Sequence, residues 1–147
     1  MKKMKSIVSV AFLLVILTSS MFAQTNSKVI AVINKAEWCP ACKKNGERAM
    51  KTFKRNNKNG NFIFIQNDLT NDKTKLKSNK EIQKYGLLDV MTNKKSTAVV
   101  FFFNPVTKKL ISKIGISKSD EELSSAMISA LKGNKVVSKE EEEGGCN

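Results

Sequence analysis

The sequence predicts an α/β fold: a mixed sheet covered by helices, with elements in the order β-α-β-α-β-β-α. Three observations predict it. Two apolar runs, residues 29–33 (VIAVI) and 62–66 (FIFIQ), read as buried strands with an amphipathic segment between them. That alternation favours parallel pairing through a right-handed crossover. A third run, residues 97–103 (TAVVFFF), meets a turn at Asn104 and Pro105 and returns as residues 109–114, which reads as an antiparallel hairpin.

The chain opens with a segment that stands outside this order. Lys2, Lys3 and Lys5 precede an apolar run over residues 7–17, and small residues lead to Ala23. This is the layout of a secretory signal peptide, with cleavage expected after Ala23. Eleven residues, broken by Ser9, are short of the about 20 that a helix needs to span a bilayer. Residues 1–23 are therefore expected to be a signal peptide, residues 24–135 the folded domain, and residues 136–147 a flexible acidic tail. Export implies a periplasmic or secreted bacterial protein in an oxidising or redox-managed compartment.

After the first strand, a helix is expected to start near Cys39 and Pro40, since proline suits a first helical position. Cys42, Gly46, Ala49, Met50 and Phe53 form its apolar stripe, while Lys43, Lys44, Glu47, Arg48 and Lys51 face away. Residues 56–61 (NNKNGN) carry turn chemistry. A second helix runs through residues 80–85, with Lys73 its earliest start, and stops at Gly86. Residues 87–95 read as a connection. Ser119 and Glu122 form a capping box that opens the last helix. Its apolar face is Leu123, Met127, Ala130 and Leu131, and Gly133 is expected to close it.

Composition narrows the function. The 147 residues hold 26 Lys and Arg against 13 Asp and Glu, a formal net charge of +13, and no histidine. Imidazole metal sites and histidine bases are excluded. The lysines are scattered without interleaved aromatics, so they read as a solvated surface and no nucleic-acid partner is expected. Membrane contact is expected only through an uncleaved signal, and the chain is expected to be a monomer.

Cys39-Pro40-Ala41-Cys42 is the informative motif. It follows a buried strand and opens a helix, where unpaired N–H groups and partial positive charge favour a thiolate. Cys39 is expected at the exposed end and Cys42, on the apolar stripe, partly buried. Cys39 would then attack a substrate sulfur and Cys42 resolve the mixed disulfide. A structural staple fits less well, because so short a loop stabilises by only about 2 kcal/mol. A zinc site lacks ligands, since no histidine is present and Cys146 is the only other cysteine. No metal is expected. An idle thiol is the plainest reading of Cys146.

Residues 36–43 (AEWCPACK) resemble the active-site segment of thioredoxin-fold proteins. Lys84-Tyr85-Gly86-Leu87 is similar to the segment before that family's third core strand, and residues 97–102 with Ile114 and Gly115 are similar to its closing hairpin. The resemblance spans residues 28–132 and is strongest to secreted or periplasmic members. It implies a thioredoxin-like fold and a redox-active Cys39–Cys42 disulfide, with Cys39 the nucleophile and Cys42 the resolving thiol. Trp38, Pro40, Ala41, Ser96 and Thr97 would flank the site. The activity implied is thiol–disulfide oxidoreduction on protein disulfides or dithiols, with no cofactor and with a redox partner for regeneration. Two family positions differ. The cis-proline just before the third strand aligns with Ser96, and the buried Asp aligns with Ile33. These departures suit an alternative, a catalytically weak thioredoxin-like module that binds client proteins.

Overall fold

The structure, a computed structural model, describes residues 28–143, with side chains as far as Asn134. The expected signal peptide and Cys146 lie outside the described residues. The elements are β1 (Val29–Lys35), α1 (Pro40–Asn56), β2 (Phe62–Asp68), α2 (Asp72–Lys84), α3 (Leu88–Met91), β3 (Val99–Phe103), β4 (Leu110–Gly115) and α4 (Asp120–Glu143). The sheet order is β2-β1-β3-β4. β1 pairs in parallel with β2 and antiparallel with β3, and β3 and β4 form the antiparallel hairpin.

Alternation along the central strands builds two cores, because successive strand residues point to opposite faces. Val29, Ala31 and Ile33 of β1 join Val100 and Phe102 of β3 under α1 and α4, through Ala49, Phe53, Leu123 and Met127. Ile30 and Val32 join Phe101 and Phe103 on the other face, under Ile82 of α2 and Leu87 and Met91. The continuous apolar runs thus arise because both faces of β1 and β3 are covered.

The helix ends follow local chemistry. Asn71 and Thr74 make a reciprocal capping box at the start of α2. Its end is a Schellman turn: Leu87 N–H reaches Ile82 O at 3.3 Å, and Gly86 N–H reaches Gln83 O at 2.9 Å. Gly86 takes the left-handed φ of +68° that this turn needs. Ser119 and Glu122 cap α4 in both directions, at 3.2 and 3.0 Å.

Several boundaries differ from the sequence reading. β1 continues two residues past Ile33, and β3 starts at Val99 rather than Thr97. The 87–95 connection contains the short α3, and α2 begins at Asp72. The last helix passes through Gly133 to Glu143. A single glycine costs a helix interior only about 1 kcal/mol relative to alanine, so Gly133 alone does not stop it.

Candidate active site

Cys39 is the N-cap of α1, and Pro40 follows in the first turn. Its Sγ accepts the backbone N–H of Cys42 at 3.2 Å. Its own N–H donates to Ala36 O at 3.2 Å, and its carbonyl accepts the N–H of Lys43 at 3.1 Å. The sulfur therefore occupies the place of a capping side-chain oxygen, at the positive end of a 17-residue helix.

The two thiols are free, close and inequivalent. Burial alone pushes the Cys39 thiol up. Hydrogen bonds from the Cys42 thiol, the Thr97 hydroxyl and the backbone of Cys42 and Ala41 overcome this and hold it below the usual thiol value. Burial pushes Cys42 up, and its hydrogen bond to Cys39 and the charge there push it further. The contact between the two thiols therefore favours loss of the proton from Cys39 before Cys42.

By area, the exposures are the reverse of the sequence expectation. Cys39 is 4% exposed and Cys42 is half-buried. The helix start meets the end of β1 and the segment before β3, and these neighbours close over Cys39. The acidity order follows hydrogen bonding rather than exposure.

Trp38 is 60% exposed, so it is not core packing. Its Nε1 donates to Thr70 O at 3.2 Å, and Glu37 N–H donates to Thr70 Oγ1 at 3.0 Å. Asp68 accepts from both the backbone and the hydroxyl of Thr70, and pairs with Lys35 at 3.3 Å. The loop after β2 therefore braces the turn that carries Trp38. Pro40 and Ala41 lie in the first turn of α1 between the two thiols.

Ser96 does not meet the thiols. It is exposed, and the hydroxyl beside Cys39 is that of Thr97. The backbone that approaches Cys42 is that of Ala98, which also bonds Asn34 O at 2.9 Å. Because β3 begins two residues later than expected, the position just before it that faces the cysteines is Ala98 rather than Ser96. Among the described residues every peptide bond is trans. Ala98 has a φ of +58°, a left-handed geometry that costs a residue with a Cβ about 1–2 kcal/mol.

The sequence reading missed Asn34, which is fully buried. Its Nδ2 donates to Lys94 O at 2.6 Å and Ser96 O at 3.1 Å. Carbonyls only accept, so the orientation of this amide is determined. Its Oδ1 then accepts from Asn67 Nδ2 at 2.8 Å, which leaves Asn67 Oδ1 buried without a partner. Asn34 and Asn67 are direct partners across the parallel strands. Two asparagines, each just past the apolar run of its strand, were the available signal. Ile33 stands in the apolar core at the family's Asp position, so no carboxylate lies there. Among the described residues no cluster of three or more metal-ligating side chains occurs.

Element order, the parallel β1–β2 pair and the β3–β4 hairpin make this a thioredoxin-like fold. No protein-family model and no curated protein matches the chain. Among solved structures, Trxlp from Edwardsiella tarda EIB202 is similar at 15% identity, covering 67% of this chain and 81% of that one, with a TM-score of 0.43. Tryparedoxin I from Leishmania major is similar at 14% identity, covering 68% and 74%, with a TM-score of 0.47.

Proposed function

We propose that this chain is an exported thiol–disulfide oxidoreductase acting on protein substrates through Cys39 and Cys42. The observation that carries the reading is the pair of free thiols at one helix start, with Cys39 Sγ as the N-cap that accepts the Cys42 N–H at 3.2 Å. The Cys39 thiolate attacks one sulfur of a client disulfide. A Cys39–client bond forms, the client S–S bond breaks, and the departing client thiolate takes a proton from water. Cys42 then loses its proton and attacks Cys39 Sγ. The second client sulfur leaves and is protonated, so two electrons have passed to the client and Cys39–Cys42 is oxidised. A separate dithiol partner returns the pair to the reduced form. The reverse sequence oxidises a client dithiol, and the relative stability of the two forms sets the direction.

The basic start and short apolar run of residues 1–23 support export to the periplasm or beyond. The scattered lysines support a solvated monomer without a nucleic-acid partner. A second reading, a weakly catalytic client-binding module, is favoured by the 4% exposure of Cys39.

Insulin reduction with dithiothreitol as electron source separates the two. The parent is expected to be active, Cys39→Ser inactive, and Cys42→Ser arrested as mixed disulfides visible by mass spectrometry. A Cys39→Ser variant with parental rate would falsify the redox reading. A parent inactive in both reducing and oxidising assays favours the binding module.

A further inference from the structure

A cleft of about 430 Å³ opens beside Trp38, on the face of the sheet away from the α1 core. Trp38, Leu69, Leu88 and Met91 give it apolar surface, beside the polar Asn79 and Thr92. Lys75, Lys94 and Lys95 line it, and no Asp or Glu lines it among the described residues. Lys75 has one weak partner, the exposed Asp72 at 3.5 Å. Lys94 is fixed at its backbone, because its carbonyl accepts from buried Asn34.

Asn67 also lines this cleft. It is 4% exposed, and its Oδ1 has no hydrogen-bond partner. The amide orientation cannot be reversed to remove this lack, since Asn34 is fixed by two carbonyls and requires the Asn67 NH2. The Asn67 oxygen is itself buried, so the cleft presents two features to a ligand, apolar side chains and a cationic rim. An acidic peptide answers both. An apolar side chain covers Trp38, Leu88 and Met91, and carboxylates meet the lysines.

We propose that this cleft is a specificity subsite for acidic client segments, seating an apolar residue flanked by Asp or Glu near the disulfide to be exchanged. The proposal rests on the thiol-exchange reading, because the cleft is lined by Trp38, the residue that precedes Cys39. Anionic chemistry alone would also suit RNA, but the apolar side chains in the lining and the lack of stacking partners there other than Trp38 favour a peptide.

Trp38 is the only tryptophan of the chain, so its emission reports occupancy directly. The probe is a cysteine-free octapeptide with one leucine between glutamates, titrated into the full chain beside an otherwise identical glutamine peptide. The acidic peptide is expected to shift Trp38 emission saturably and to weaken as salt is raised. Affinity should fall about tenfold for the glutamine peptide, and similarly for the Lys75→Gln/Lys94→Gln/Lys95→Gln variant, as expected for three modest surface ion pairs. Equal affinity for both peptides, binding undiminished in the triple variant, or tighter binding of an RNA oligonucleotide overturns the proposal. Turnover of a small dye disulfide by the parent, which involves no flanking sequence, tests the exchange reading separately.

Discussion

Asn34 shows how one side chain can shape a site it does not touch. It is held at full burial by two carbonyls of the segment before β3 and by Asn67. That segment carries Thr97, whose hydroxyl helps to hold the Cys39 thiol below its usual value, and Ala98, whose backbone approaches Cys42. Removing the amide leaves buried polar groups without partners, at about 1–3 kcal/mol for each. Asn34→Ala should therefore lose about 2–4 kcal/mol in urea unfolding and also slow Cys39 alkylation at neutral pH. An unchanged unfolding midpoint would show that the amide does not hold the segment. Ser96→Ala, whose side chain is exposed, should change neither property appreciably. The motif residues Cys39 and Cys42 were legible because their spacing and helix-start context are local. Asn34 was not, because its role depends on partners 33, 60 and 62 residues away.

At the scale of elements, α1 is aimed by its partners. The guanidinium of Arg48 donates to Ile116 O and Lys118 O, both at 2.8 Å, and to the Asp120 carboxylate. This ties the middle of α1 to the start of α4. Hydrogen bonds from Arg48 and Thr52 hold the Asp120 carboxyl below the usual carboxylate range, with the Arg48 and Arg55 charges adding to them. A depressed folded value means that the stabilisation is present above the unfolded value, about pH 3.9, and is lost as pH falls through the folded one. The melting temperature of Asp120→Asn should lie below the parent near neutral pH, and the gap should close on acidification. A gap that stays constant into acid would show that the ion pair contributes nothing. The apolar stripe of α1, the Gly86 stop and the Ser119–Glu122 box were all readable, because each is written within one or two turns. The start of β3 was not. Thr97 and Ala98 have strand-like neighbours, but the left-handed φ at Ala98 delays the strand to Val99.

Across the whole molecule, sequence and structure agree on the parallel β1–β2 pair, the β3–β4 hairpin and helices on both faces. Buried strands that alternate with amphipathic helices leave few other arrangements. The helix start pointed to Cys39 as the more acidic thiol, but the sequence concealed the order of exposure. Cys39 is the less exposed thiol yet the more acidic, since hydrogen bonds outweigh burial. Accessibility and acidity therefore predict opposite orders of reaction. The direct measurement is iodoacetamide alkylation of the reduced chain across pH, with Cys39 and Cys42 resolved by peptide mass spectrometry. The rate at Cys39 should reach half its plateau at a lower pH than free cysteine, and the rate at Cys42 at a higher pH. If Cys42 titrates first, or Cys39 titrates no lower than free cysteine, Cys39 is not the activated nucleophile.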